Sequence, residues 1–403
     1  MNIGQDRVAA IRAALADARL EALVCTLPEN VLLLSGYWPV VGTSIAIATE
    51  RGNISLLVPK DEHDLAAHGW ATTVREYAPG SMTELLSPAE AARSPLTDVL
   101  HQAGVTTARI GYESGGAYEA SSYAAMHLFG DAIAGLLQVA APGATLTSAG
   151  PTLARLRSIL MPAEVGQVRT GCAVVEAAFT AAAHTLQPGR AESEVAAEVS
   201  GRLSILGLDV PGARRAVGFA YCMSGPNAAR AGAAYARSTA RRLAEGDFVL
   251  VHCNSTINGY WTDVTRTYVM GEPDERQRSM YEAVLTARQA ALVALRPGVR
   301  ASEVDEAARA VLTERGFGAN FTHGVGHNVG FSVISAEYPP RLHPASPDVM
   351  EVGMTFNIEP AIYIEGYGGL RHCDVVTLGP SGAKVLSPFH GQIEDLIVNP
   401  RKR

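Results

Sequence analysis

Apolar positions along the first third of the chain follow two alternating periods. Residues 5–20 repeat at helical spacing, whereas EALVCT, SIAIAT and NISLLVP (21–26, 44–49 and 53–59) are short apolar runs of strand character. A helical pattern returns near 89–103, and ARIGYE (108–113) predicts one more strand. Helices interleaved with strands in this way predict an α/β domain over residues 1–160. The texture then changes. Pro162 followed by Glu164 opens a long alanine-rich helical pattern running to about Leu186, with proline at the first turn, where its missing N–H costs nothing. Residues 161–403 are therefore expected to form a second domain.

That second part contains a repeat at an offset of 109. Pro188, Gly189, Ser193, Glu194, Val195, Leu203 and Gly207 map onto Pro297, Gly298, Ser302, Glu303, Val304, Leu312 and Gly316. In each copy a long helix reaches Pro-Gly, a Ser-Glu-Val opening starts a second helix, and a glycine lies at its C-terminal end. Two copies argue against a solenoid and for a pseudo-two-fold domain, with helices against one face of a curved sheet and the centre free for chemistry.

Composition narrows the function. The 403 residues are 47% hydrophobic and 18% charged, enough for a large core, and the net charge of −7 argues against a nucleic-acid partner. The alanine-rich stretch at 173–183 contains Glu176 and is too short to span a bilayer, so no membrane partner is expected. The first twenty residues read as a helix, not as a signal peptide. Five cysteines without a CxxC pair fit a reducing cytoplasm. Cys25, Cys172, Cys222 and Cys253 read as core, and the polar Asp61, His63, Asp64 and His68 cluster as a solvated face.

Four segments of buried-strand character carry polar groups that need a partner or an ion: DFVLVHCNSTINGYWTDVTRTY, THGVGHNVG, MTFNIEPAIY and GGLRHCDVV. Asn258-Gly259 predicts a hairpin turn that would set His252 opposite Asp263. His323 and His327 are interrupted by glycines and flanked by valines, so they are expected to share a face through strand periodicity. Glu359 interrupts an apolar strand before Pro360. Arg371, His372, Cys373 and Asp374 crowd together.

In GYWTDVTRTY (259–268), HGVGH (323–327), FNIEPAIY (356–363) and the GGLRHCDVV strand with the later Gly382, the chain resembles the pita-bread superfamily of methionine aminopeptidase, prolidase, Xaa-Pro aminopeptidase and creatinase. The resemblance covers the whole chain. It implies an α+β fold: a creatinase-like N-terminal α/β domain followed by a pita-bread domain with an internal pseudo-two-fold repeat. It also implies a homodimer. Peptidases of the family hold two metal ions with two Asp, one His and two Glu; position by position these fall on His252, Asp263, His327, Glu359 and Cys373, so three of the five are kept. The family's proton-donating histidine falls on Tyr235, and its later His-Glu pair on Ile334 and Ser335.

Imidazole and thiol in place of two carboxylates shift the preference from manganese towards zinc or iron and towards one divalent ion. The expected activity is hydrolysis of a C–N bond, amide or amidine, in a small-molecule or peptide substrate. His323, Glu359 and His372 are the candidate catalytic groups, and Tyr235, Trp261 and Arg371 the candidate substrate contacts. Arg266 reads chiefly as a structural ion-pair partner. The alternatives are a creatinase-like hydrolase without metal, or a binding protein that has lost catalysis. Replacements by residues that still ligate favour the enzyme.

Overall fold

The computed structural model describes residues 3–40, 44–78, 83, 84, 86–114, 130–232, 238–332 and 338–398. Tyr235, Ile334 and Ser335 lie outside the described residues. The chain divides into two compact units, Met1–Arg157 and Ser158–Arg403.

In the first unit the elements run α1 (Ile3–Ala18), β1 (Ala22–Cys25), α2 (Pro28–Ser35), β2 (Ile45–Thr49), β3 (Ile54–Pro59), α3 (His63–Ala66), β4 (Thr73–Tyr77), α4 (Pro88–Ala103), β5 (Arg109–Tyr112), α5 (Asp131–Ala140) and β6 (Thr145–Ser148). The six strands form one mixed sheet in the order β4-β3-β2-β1-β5-β6, with β1 antiparallel to β2 and parallel to β5. Val24, Ile45, Ile47, Leu57 and Ile110 bury one sheet face against Leu96, Leu100, Ile133 and Leu137 of α4 and α5. Burying each of these aliphatic side chains contributes about 1.5–3 kcal/mol. Glu113, just past β5, is buried and accepts hydrogen bonds from the Thr26 and Leu27 amides and from Asn30, which pins the start of α2.

Helix α6 (Gly150–Ser158) leads to the second unit, which contains α7 (Pro162–Ala183), α8 (Glu192–Leu206), β7 (Ala216–Ser224), β8 (Phe248–Ile257), β9 (Tyr260–Met270), α9 (Glu275–Ala294), α10 (Ala301–Glu314), β10 (Gly326–His327), β11 (Arg341–Leu342), β12 (Thr355–Ile358), β13 (Ala361–Ile364), β14 (Gly368–Arg371), β15 (Asp374–Gly379), β16 (Gly382–Val385) and β17 (Ile397–Val398). The expected single curved sheet is instead divided into a four-stranded sheet, β17-β9-β8-β7, a three-stranded sheet, β12-β15-β16, and the pairs β10-β11 and β13-β14. An isolated bridge between Thr265 and Cys373 stitches β9 to the residue between β14 and β15.

The repeat is visible in the backbone. Gly189 and Gly298, at matching places before α8 and α10, have φ of 87° and 89°, a left-handed conformation that glycine adopts without strain. The copies differ at their far ends: Gly316 terminates α10 with φ of 81°, whereas Gly207 stays right-handed and starts a 3₁₀ turn.

Candidate metal centre

The hairpin β8-β9 turns at Asn258 and Gly259, both at positive φ, with Ile257 opposite Tyr260. That tight turn fixes the register: Asp263 faces Asn254, and His252 faces Thr265. The expected direct opposition of His252 and Asp263 is thus displaced by two residues, which leaves both side chains on the same sheet face. On β9, Asp263 and Thr265 point to that face, while Arg266 points to the other. Past β14 the same alternation directs Arg371 and Cys373 to the front and His372 and Asp374 to the back.

Three ligand atoms meet at the front. One atom each from Asp263, Glu359 and Cys373 lie within 4.8 Å of one another, and all three residues are buried. Cys373 is fixed by backbone hydrogen bonds to Thr265, and Glu359 by its amide, which donates to the Val325 carbonyl at 2.8 Å. His327 approaches from β10, with Nε2 at 3.5 Å from Asp263 Oδ2 and 3.7 Å from Glu359 Oε1. Asp263 Oδ2 is buried, with His327 Nε2 as an ion-pair partner at 3.5 Å, beyond the usual hydrogen-bond length. A buried carboxylate oxygen so loosely paired, close to two further donor groups, fits a cation. The donor set fits one ion: two carboxylates and a sulfur, with an imidazole beside them.

Electrostatics sharpen this picture. Burial pushes Asp263 up, but His252, His327 and Arg371 outweigh it and hold the carboxyl below the usual carboxylate range. Burial, with Asp263 and Glu359 nearby, pushes the Cys373 thiol well up, so that its Sγ–H faces the Asp263 carbonyl at 3.3 Å in the absence of an ion. A cation reverses that preference, because a coordinating thiol gives up its proton. At His327 burial disfavours charge, yet Asp263 and Glu359 prevail and raise the imidazole to about 9. The hollow therefore attracts positive charge.

His252 adjoins this group without entering it. Its Nδ1 lies 3.0 Å from Thr265 Oγ1 and 3.5 Å from Asp263 Oδ1, its Nε2 lies 3.0 Å from Asn254 Nδ2, and its ring stacks on Tyr221. Burial lowers it to about 4, so it is a neutral imidazole with both nitrogens engaged. His372 is a correction. It stands on the back face, 3.4 Å from Asp374, lowered to about 4 by burial and Arg266, and is not grouped with His323 and Glu359. Arg266 is fully buried beside it and pairs with Asp374 at 2.7 Å. Trp261 is half-buried on β9, two residues before Asp263.

The polar row next to the trio includes residues that sequence reasoning did not single out. Arg371 Nε donates to Thr265 Oγ1 at 3.1 Å, and its NH1 lies 3.8 Å from Glu359 Oε2. Tyr363 is in hydrogen-bond contact with Arg371 and lies 3.1 Å from His323 Nε2. Because His323 Nδ1 donates to the Gly324 carbonyl, its Nε2 accepts the Tyr363 hydroxyl proton. Burial lowers His323 and pushes Tyr363 up to about 12, so both stay neutral. Asn357 is the other unforeseen member; a buried amide between Phe356 and Ile358 was its only signal. Tyr363 could have been found by counting in twos from Glu359 through Ala361.

A pair on α10 holds the His323 segment in place. Asp305 accepts the Val325 amide at 2.8 Å and is forked by Arg309, whose remaining N–H groups reach the Phe321 and His323 carbonyls at 2.9 Å. Asp305→Asn is expected to cost about 1–3 kcal/mol, because the amide cannot satisfy Val325 and Arg309 together. Urea unfolding checks this, and a loss under about 0.5 kcal/mol, ordinary for a surface change, would refute the clamp.

Residues 166–380 match the model of metallopeptidase family M24, and residues 7–159 match the creatinase/prolidase N-terminal domain. The Xaa-Pro dipeptidase of Pyrococcus furiosus is 34% identical over 232 residues, 58% of this chain and 64% of that protein. The Xaa-Pro dipeptidase of Pyrococcus horikoshii is 32% identical over 232 residues, 58% of this chain and 63% of that protein. The chain thus spans less than two thirds of the length of these curated relatives. Among solved structures, dipeptidase PepE from Mycobacterium ulcerans superposes with a TM-score of 0.72 at 27% identity, covering 98% of each chain. With the M24 model matched over more than half its length, the chain belongs to metallopeptidase family M24.

Proposed function

We propose that this protein hydrolyses a C–N bond, amide or amidine, in a small or peptide-like substrate at a centre built for one divalent ion. The observation that carries the reading is the convergence of the buried Asp263, Glu359 and Cys373, whose ligand atoms lie within 4.8 Å of one another. Charge balance favours a single ion. Asp263, Glu359 and a Cys373 thiolate bring three negative charges against the positive charge of Arg371; with His327 neutral, as a neighbouring ion requires, one divalent cation neutralises the hollow and a second would overcharge it. The sulfur ligand points to zinc or iron in preference to manganese.

A divalent ion held by these residues supplies Lewis acidity, polarising a carbonyl and lowering the pKa of a bound water. The chain's own groups do the rest. Tyr363 holds its proton against His323 Nε2, which keeps both groups neutral and orients the hydroxyl beside Arg371 and Glu359. Arg371 turns a fixed cation towards Glu359 and the space before it, where a substrate oxygen or carboxylate would be held. The names of the relatives, Xaa-Pro dipeptidases, support a peptide-like substrate.

A second reading, hydrolysis without metal, is favoured by one observation: His252 and the Cys373 thiol both find partners within the protein. Metal analysis of protein purified without a histidine tag separates the two readings. About one equivalent of zinc or iron, lost in Cys373→Ser, is the expected result. No metal together with turnover of an amide or amidine would leave the metal-free reading standing, and inertness towards a broad Xaa-Pro, amide and amidine panel would favour a binding role. The proposal extends to a cytoplasmic homodimer. The five cysteines, free and buried, fit a reducing compartment, and the homodimer follows from the family resemblance. Light scattering should give twice the 42.4 kDa chain mass.

A further inference from the structure

Glu192 opens α8 as a fully buried carboxylate met by neutral donors. Its Oε1 accepts the Ser224 amide and hydroxyl at 2.6 and 2.8 Å, and its Oε2 the Thr239 amide and hydroxyl at 3.0 and 2.6 Å. Asn227 Nδ2 donates to both oxygens, at 3.1 and 3.2 Å. Ser224 ends β7 and Thr239 precedes β8, so one carboxylate ties together both ends of the connection between these strands. The α8 backbone joins in, with the Glu192 and Ser193 amides donating to the Arg241 and Thr239 carbonyls. A carboxylate only accepts, so it can serve all of these donors at once; a carboxamide in its place would set N–H against N–H.

The connection so tied is pressed against Tyr363. Its 3₁₀ turn, Gly225–Arg230, lies on β14, where a Cβ at Gly369 would collide with the Ala228 carbonyl and fall 2.8 Å from Tyr363 Cδ1. Further along, a Cβ at Gly232 would fall 2.8 Å from Tyr363 Cε2 and 3.1 Å from Cδ2. Tyr363 and Gly369 are partners in the β13-β14 ladder. The phenol ring is thus clasped along both edges by glycine backbone, one edge by β14 and the other by the connection that Glu192 holds. Beyond the clasp its hydroxyl reaches His323 Nε2 at 3.1 Å and Arg371. Close-packed groups pass a displacement on to their neighbours, so a shift of the connection moves the ring.

We propose that Glu192 is a positioning residue: by fixing the β7-β8 connection against Tyr363, it sets the direction of the Tyr363 hydroxyl beside Arg371 and Glu359. Its effect on turnover rests on the hydrolytic reading above, whereas its effect on the ring does not.

Tyrosine isotopically labelled at both ε carbons reads the clasp by NMR, the Tyr363 signals being those lost in Tyr363→Phe. A clasped ring turns slowly, so the unchanged protein is expected to show a separate signal for each ε carbon at low temperature. Glu192→Gln is expected to speed the turning at least about tenfold and merge them. Thr239→Val removes one hydroxyl and keeps the backbone bonds; it should act in the same sense, and it decides the matter if Glu192→Gln fails to fold. With an Xaa-Pro dipeptide, Glu192→Gln should lower kcat at least about tenfold and change KM less than about threefold, the pattern of a misdirected group. That loss should vanish when Glu192→Gln is made in Tyr363→Phe. A sharp averaged signal in the unchanged protein would overturn the proposal. So would turning unaltered in Glu192→Gln although its melting temperature falls, which is what a merely fold-stabilising carboxylate would give, or a released ring with kcat unchanged. Absence of turnover in every protein, with the ring still released by Glu192→Gln, would sink the hydrolytic reading and leave the positioning in place.

Discussion

Arg266→Met is expected to destabilise the second unit by about 3–5 kcal/mol, the cost of breaking a buried ion pair by removing one partner. The guanidinium is inaccessible to solvent and uses its full fork: Nε donates to the Phe389 carbonyl, NH1 to the Thr265 and Cys373 carbonyls, and NH2 to Asp374 Oδ1 and the Ser387 carbonyl, all between 2.7 and 2.9 Å. Methionine fills part of the volume but takes a donor from four carbonyls, those of Thr265 and Cys373 keeping only their bonds to each other's amides, and leaves Asp374 to Arg288 and Ser387. Two of those carbonyls belong to Thr265 and Cys373, so the loss should reach the front face as weaker ion binding. Arg266→Lys should recover only part of both effects, because an ammonium cannot reproduce a planar five-donor fork. Urea denaturation followed by circular dichroism measures the first effect and Co2+ titration the second. A cost below about 1 kcal/mol would show that the back-face knot is not what ties β9 to the Cys373 turn.

Asp263→Asn should abolish ion uptake at a smaller cost to stability. The substitution preserves shape and removes the charge on which the trio is centred, and ion affinity is expected to fall at least about 100-fold, or about 2.7 kcal/mol. The native carboxylate also contributes to the fold: it is fully buried, and His252, His327 and Arg371 hold it below the usual carboxylate range, so the folded protein favours its charged form. The metal-free variant is accordingly expected to be less stable than the metal-free parent by about 1–2 kcal/mol. Calorimetry in chelator compares the two directly. A loss of 3 kcal/mol or more, the penalty for breaking a needed buried pair, would identify Asp263 as a structural ion-pair partner and remove the ground for a metal centre.

Much of the architecture was legible along the chain because it rests on local rules. The strands at 22–25, 45–49 and 54–59 follow from short apolar runs, α7 begins at the predicted Pro162, and the Asn258-Gly259 turn closes β8 on β9. What escaped was non-local. The division of the second unit into several small sheets depends on which distant strands exchange hydrogen bonds, and no window of sequence encodes that. The register of His252 required knowing that the turn uses two residues and no more. His372 shows a different failure: the alternation of Arg371, His372, Cys373 and Asp374 already separates odd from even positions, but the crowding of four polar residues concealed it. Asn357 was invisible because its importance lies in two partners, His327 and Cys373, that are 30 and 16 residues away.

The internal duplication has a consequence for how the proposed centre is assembled. Asp263 lies in the copy that begins with α7, whereas Glu359 and Cys373 lie in the copy that begins with α9. The donor set is thus divided between the two copies, so its geometry is fixed only where they pack together.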